Sequence, residues 1–173
     1  MTSVKGPDKK EEIIERMITQ YQLPLLRMCI LYLHDEHLAK DAVLETFIKA
    51  YRNLDHFHSE ASEKTWLTRI AINTCKDMYR SSWFKHIDRS VTMDHLMQQP
   101  APQIQSDIDL TAEIMCLPLK MREVALLCWL QGITQEEAAD MLGITRQAVG
   151  NRLNRARQKL RFAMERSDEH DPA

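Results

Sequence analysis

Apolar residues recur every three or four positions along most of the chain, which is the spacing of one face of an α-helix. Two such stretches lie in the first 34 residues, separated by Pro24. We predict that a new helix begins at Pro24, because the missing N–H of proline is harmless in a first turn. Asp35 is the predicted N-cap of a helix to about Leu54, and another helix is predicted from near Glu63 to about Ser82. No strand alternation interrupts the pattern, so an all-α fold is expected.

The helical pattern is lost between about residues 91 and 110. Residues 97–106 carry two prolines and no charge, which is typical of a flexible linker. We therefore predict two small helical domains, residues 1–90 and 111–166, joined by this linker and followed by a frayed tail at residues 167–173.

Residues 134–145 contain the cap residues of a helix-turn-helix. Thr134 and Glu137 fit a capping box, in which a threonine N-cap is followed three residues later by a glutamate. Gly143 stands at the natural C-cap, where a left-handed backbone is needed. Thr145 is the predicted cap of the next helix, which runs to about Met164. A helix, a short glycine turn and a second helix form the DNA-binding helix-turn-helix.

The second of these helices has one narrow apolar stripe and a polar face opposite it. The stripe consists of Val149, Leu153, Ala156, Leu160 and Ala163. Amide side chains can bind adenine and arginine can bind guanine, and the N-terminal part of such a helix usually meets the bases. The predicted base contacts are therefore Arg146, Gln147 and Asn151. The predicted phosphate contacts are Arg152, Arg155 and Arg157, and Asn154 lies on the same polar face.

Charge is segregated along the chain, although the formal net charge is only −2. Residues 1–63 are net −3, residues 64–89 are net +4 and residues 145–161 are net +6. Each basic block is a candidate phosphate-facing surface. A solvated helix face is the alternative for either block, and an ordinary helical hairpin is the alternative to the helix-turn-helix. Gly150, which costs a helix interior ~1 kcal/mol, either permits close approach to DNA or is merely tolerated.

Two helices of the first domain carry more apolar or aromatic surface than one core stripe requires. In the helix at 35–54, Leu44, Ile48 and Tyr51 lie beside the core stripe. They indicate either a central position in the bundle, which is the commoner explanation, or a face for a partner. In the next helix, aromatic and basic residues are interleaved from Trp66 onward. Such interleaving suits strand-separated nucleic acid, but the same residues also include a complete core stripe.

Several classes of function are disfavoured. The longest apolar run has seven residues, whereas a membrane span needs ~20. The N-terminus has no apolar signal segment, so a cytoplasmic protein is expected. The cysteines form no zinc or redox motif, and His34 and His37 lack the further ligands of a metal site. Without a glycine-rich phosphate loop or a nucleophile–base pattern, we expect no enzyme, catalytic residue, metal, cofactor or small-molecule substrate.

Several segments, taken in order, are similar to one protein family. They are DAVLETFIKAY (41–51), KTWLTRIAIN (64–73), LP (117–118), REV (122–124), GITQEEAA (132–139), LGIT (142–145) and RLNRARQKL (152–160). Over about residues 10–162 the chain resembles the extracytoplasmic-function (ECF) class of bacterial RNA polymerase sigma factors. The helix-turn-helix alone is shared with many regulators, whereas the first two segments are more specific. The chain departs from the family at Leu44, where glutamine is common, and at Gly150, where lysine is common.

The resemblance implies a subunit that gives core RNA polymerase its promoter specificity. It implies polymerase contacts at Asp41, Leu44, Glu45 and Ile48, and contacts to the −10 promoter element at Trp66, Arg69, Asn73, Lys76 and Arg80. It implies contacts to the −35 element at Arg146, Gln147, Gly150, Asn151 and Arg155. An anti-sigma protein, often membrane-bound, commonly holds such factors inactive. A helix-turn-helix regulator that acts without becoming a polymerase subunit is the alternative.

Overall fold

The computed structural model describes residues 9–57, 61–87 and 108–168. They form α1 (Lys9–Leu33), α2 (Glu36–Asn53), a 3-10 turn (Leu54–His56), α3 (Glu63–Ile87), α4 (Ile108–Cys116), α5 (Leu119–Ala125), a π turn (Leu126–Leu130), α6 (Gln135–Leu142) and α7 (Arg146–Asp168). These described residues contain no strand, which confirms the all-α prediction.

The chain divides into two compact units. Of the described residues, 9–29 and 35–87 belong to the first unit, and 30–34 and 108–168 belong to the second. Most of the predicted linker, and residues 169–173 of the predicted tail, lie outside the described residues. The domain limits at residues 90 and 111 therefore stay a prediction.

α1 runs without interruption through Pro24, so the predicted start of a new helix at this proline is wrong. A proline inside a helix removes a backbone hydrogen bond and costs ~3 kcal/mol. Pro24 itself is exposed, but Met17 before it and Leu25 and Met28 after it are at most 2% exposed. One apolar face thus continues across the proline, and its burial offsets the lost hydrogen bond.

The core of the first unit includes the packed faces of α2 and α3. α2 begins as predicted, since the backbone N–H of Leu38 donates to Asp35 Oδ1 at 2.9 Å. Both helices bury small and apolar side chains, at Ala39, Ala42, Phe47 and Ala50 in α2 and at Leu67, Ala71 and Ile72 in α3. α3 begins at Glu63 as predicted and ends at Ile87, five residues beyond the expected end.

An ion pair joins the first turn of α3 to α1. Arg16 Nη1 and Nη2 donate to the two carboxylate oxygens of Glu63 at 2.9 and 2.6 Å. The hydrogen bond and the charge of Arg16 hold the pKa of the Glu63 carboxyl below its usual value. The pair therefore favours the folded first unit when Glu63 is ionised.

The second unit is built around α5, the π turn, α6 and α7. Its core consists largely of the apolar run that follows Arg122 and of the stripe of α7, with Val124, Leu126, Leu127 and Val149 fully buried. A further buried cluster of this unit consists of Leu117, Ala125, Ala156 and Leu160. One side of α7 is therefore buried in the core of this unit, and the opposite side is exposed to solvent.

Candidate nucleic-acid interface

Side-chain caps and a left-handed glycine define the limits of α6 and the start of α7. The backbone N–H of Glu137 donates to Thr134 Oγ1 at 3.2 Å, and the N–H of Thr134 donates to Glu137 Oε2 at 3.0 Å, so the predicted capping box is present. Gly143 ends α6 in the left-handed conformation, with φ at +65°. Thr145 Oγ1 then accepts from the N–H of Ala148 at 3.1 Å and caps α7. The predicted helix-turn-helix therefore forms.

α7 buries four of the five residues of the predicted stripe, and the side chain of the fifth, Ala163, lies outside the described part of the structure. Val149, Leu153, Ala156 and Leu160 are at most 8% exposed. The predicted DNA-contacting side chains on the rest of the helix are exposed at Arg146, Gln147, Asn151, Asn154, Arg155 and Arg157, while Arg152 is half-buried. The structure thus brings these residues together on one accessible surface of the second unit, which we call the α7 polar face.

Arg157 on the α7 polar face contacts two neighbouring side chains. Its Nη1 donates to Asn154 Oδ1 at 3.3 Å. Its guanidinium carbon lies 5.8 Å from the ring centroid of Trp129, in the π turn. A cation over an aromatic face at this distance is attracted electrostatically. Sequence periodicity did not identify Trp129, because its place beside Arg157 depends on the fold of the π turn.

Arg146, at the start of α7, pairs with a residue of α6. Its Nε lies 3.0 Å from Glu136 Oε1, and both side chains are about two-thirds exposed, at 68% and 66%. Gly150 stands one helical turn after Arg146 and is half-buried. A Cβ atom at Gly150 would lie 3.4 Å from Oε1 of Gln135. The first two side chains of α6 thus extend to the N-terminal half of α7, a contact that the sequence pattern did not reveal.

α3 carries the second predicted nucleic-acid surface. Arg69, Asn73 and Arg80 are exposed and Lys76 is half-buried. These residues recur at three- and four-residue spacing, so they share one face of the helix. We call it the α3 basic face. The opposite side buries Leu67 and other apolar residues. α3 therefore has both features that its sequence suggested, a buried core stripe and an exposed basic face.

Trp66 lies between the packed side and the exposed side of α3. It is half-buried, and its ring centroid lies 4.6 Å from that of Phe57, with the planes inclined at 32°. Part of the indole is therefore used in packing against the segment before α3, and the remainder is accessible beside the α3 basic face.

The outer face of α2 is accessible. Leu44 is 62% exposed and Tyr51 is 38% exposed, while Asp41 is exposed and Glu45 and Ile48 are half-buried. Glu45 lies 3.7 Å from Lys49, which also donates to Thr74 Oγ1 at 3.1 Å. The commoner explanation of this wide apolar arc, burial at the centre of the bundle, is therefore wrong. Leu44 and Tyr51 thus place apolar surface on the accessible side of α2, next to the acidic side chains of Asp41 and Glu45.

The described residues contain no group of three or more histidine, cysteine or acidic residues placed to hold a metal ion. Within the same ranges, no helix has the length and hydropathy to cross a membrane.

Comparison with protein families identifies both units. Residues 17–85 match the model of Sigma-70 region 2, and residues 114–161 match that of Sigma-70 region 4. The chain is also 30% identical to ECF RNA polymerase sigma factor SigM of Bacillus subtilis, over 86% of this chain and 93% of that protein. This chain is an ECF sigma factor of the sigma-70 family. RNA polymerase sigma-H factor of Pseudomonas aeruginosa is 29% identical to it, over 94% of this sigma factor and 90% of the relative.

Two solved structures resemble this sigma factor. One is RpoE of Bartonella quintana, crystallised with the anti-sigma factor NepR, with a TM-score of 0.69 and 25% identity. The alignment covers 87% of this chain and 98% of that one. The other is CnrH in complex with the cytosolic domain of CnrY, with a TM-score of 0.64, 25% identity and 89% and 88% coverage.

Proposed function

We propose that this sigma factor joins core RNA polymerase and directs it to promoters by two separate DNA contacts. The α3 basic face engages the −10 element and the α7 polar face engages the −35 element. The protein acts in the cytoplasm as a binding subunit without catalytic activity of its own. The observation that carries the proposal is the exposed amide and arginine side of α7, in a helix-turn-helix whose turn is capped at the end of α6 and at the start of α7.

The polymerase contact is assigned to the outer face of α2. Asp41, Leu44, Glu45 and Ile48 lie within two helical turns. The exposure of Leu44 supports this assignment, because a leucine left in water gains free energy when a partner covers it. The acidic residues beside it supply charge that a basic partner surface can match.

The −10 contact is assigned to Trp66, Arg69, Asn73, Lys76 and Arg80. Exposed cations of the α3 basic face suit phosphates, and the accessible part of the indole suits a stacked base. Asn73 is exposed between them, and its amide can both donate and accept hydrogen bonds with the edge of an extruded base. This combination supports binding to DNA whose strands have separated.

The −35 contact is assigned to the α7 polar face together with Gly150. Arg146, Gln147 and Asn151 lie at its N-terminal end, which enters the major groove in helix-turn-helix proteins. Arg152, Arg155 and Arg157 lie farther along and would neutralise phosphates, with Asn154 fixing Arg157. Gly150 contributes no side chain of its own, and the space beside it is shared with Gln135, whose Oε1 lies 3.4 Å from the position that a Cβ atom would take.

Polymerase makes this bipartite arrangement effective. Two weak contacts joined in one complex bind tightly, because the first raises the effective concentration of the second. The net charge of −3 over residues 1–63 weakens attraction of the free protein to DNA. We therefore expect weak binding of the free protein to promoter duplex and tight binding in the holoenzyme, measured by mobility shift. Equal affinity, with no co-purification of core polymerase, would instead favour a regulator that acts alone.

An anti-sigma protein is the proposed controlling partner. One structural relative is bound to the anti-sigma factor NepR, and the other is bound to the cytosolic domain of CnrY. A partner that covered the outer face of α2 would block the proposed polymerase contact. Competition between such a partner and core polymerase for this sigma factor tests the assignment, and simultaneous binding of both would contradict it.

A further inference from the structure

Two residues outside the α7 polar face reach its N-terminal end from α6. Glu136 contacts Arg146 at 3.0 Å, and Gln135 Oε1 lies 3.4 Å from the Cβ position of Gly150. Arg146 and Gly150 are one turn apart and therefore lie on the same side of α7. Neighbouring side chains of α6 thus meet neighbouring turns of the helix that carries the proposed base contacts.

We propose that Gln135 and Glu136 help to determine the −35 sequence that this protein selects. Glu136 is a positioning residue that orients Arg146 toward a base. Gln135 is a specificity-determining residue that occupies the space over Gly150 and presents its amide at the DNA surface. The inference rests on the proposed −35 role of α7, and it adds α6 side chains to the set that chooses the sequence.

The geometry of the Glu136–Arg146 pair suits an orienting role. The contact is made by Nε, and the guanidinium carries five N–H donors. An arginine held at Nε still has both Nη groups for the two acceptors of a guanine edge. Both side chains are largely exposed, so the pair contributes little to folding. Its consequence is instead a preferred direction for the Arg146 side chain.

The space at Gly150 explains why Gln135 can take part. The Cβ atom of any other residue at position 150 would be in contact with Gln135 Oε1. An alanine methyl fits at 3.4 Å as an ordinary contact, whereas a longer side chain that extends in this direction would compete with the Gln135 amide for the same space. The glycine thus exchanges a side chain of α7 for one of α6 at the same place on the surface. An amide there can form two hydrogen bonds with adenine.

Base preference measured with the holoenzyme tests Glu136. Binding is compared across promoters in which each −35 position is varied, for Glu136→Gln, Arg146→Ala and the double variant. Asp140→Asn is the matched control, because Asp140 is an exposed acid of the same helix and its loss changes charge equally. We expect Glu136→Gln to reduce preference by at least ~fivefold at the position affected by Arg146→Ala, with no added effect in the double variant. A uniform rise in affinity like that of Asp140→Asn would overturn the orienting role.

Gln135 is tested with variants at both sides of its contact. We expect Gln135→Ala and Gly150→Leu to change preference at a shared −35 position, while Gly150→Ala keeps the wild-type preference. Unchanged preference in Gln135→Ala would overturn the role of Gln135. Promoter selection by the wild-type holoenzyme distinguishes failure of the α6 inference from failure of the proposed −35 function. If the wild-type holoenzyme selects a −35 sequence and the variants select the same one, only this inference fails, whereas a wild type without selection also removes the proposed function.

Discussion

Leu44 offers a quantitative test of the assigned polymerase surface. The side chain is 62% exposed, so its truncation to alanine removes few contacts within the folded protein. Complete burial of a leucine is worth ~1.5–3 kcal/mol, and a partner covering the exposed part would gain roughly 1–2 kcal/mol of that amount. We therefore expect Leu44→Ala to weaken binding to core RNA polymerase by about 5- to 30-fold.

The matched control for this test is Leu23→Ala. Leu23 is 55% exposed and lies in α1 of the same unit, so it loses a similar apolar surface outside the assigned contact. Binding of labelled protein to core polymerase is titrated at equilibrium, with thermal unfolding of each variant measured alongside. Equal loss of affinity in the two variants would refute the assignment. A markedly lower Tm in Leu44→Ala would refute the claim that this leucine is dispensable for folding.

Three further predictions address the DNA contacts and the stability of the first unit. Asn73→Ala should reduce −10-dependent initiation about tenfold, since a lost base contact costs ~1–3 kcal/mol. The Tm should be unchanged because Asn73 is exposed, and normal initiation by this variant would contradict the assignment of Asn73 to the −10 contact. Asn151→Ala should change −35 preference whereas Arg157→Ala should weaken binding to all sequences alike, and identical changes in preference would contradict the division of the α7 polar face. Glu63→Gln should lower the free energy of unfolding in urea at pH 7. Because Arg16 lowers the pKa of Glu63 in the folded protein, the ion pair stabilises the fold only while Glu63 is ionised. The difference in free energy between the variant and the wild type should therefore shrink as the pH falls below 4.5. A difference independent of pH would exclude this ion pair as the cause.

Local sequence rules predicted the elements whose determinants are near in the chain. Asp35, Thr134, Gly143 and Thr145 cap their helices as expected, because a cap depends on a few adjacent residues. The same local reasoning gave a wrong prediction at Pro24, where α1 continues without interruption. Its cost is fixed by the residue itself, but the burial that offsets this cost comes from packing of the whole α1 face, which periodicity alone does not quantify.

The candidate site was predictable where it follows helical periodicity. The buried stripe of α7 identified its polar face, and the structure places those residues as expected. Periodicity could not decide whether the apolar arc around Leu44 faces a partner or the bundle interior, because both produce the same pattern. It also missed Gln135, Glu136 and Trp129, whose neighbours are brought to them by the turn between helices and by the π turn.

Promoter-directed initiation tests the central claim most directly. Core RNA polymerase is incubated with genomic DNA fragments in the presence and absence of this protein, and the 5′ ends of run-off transcripts are mapped. The account predicts new start sites that share sequence elements near −10 and −35 and that require the protein. Transcripts that are identical with and without the protein, from preparations in which it is folded and bound to core polymerase, would contradict the account.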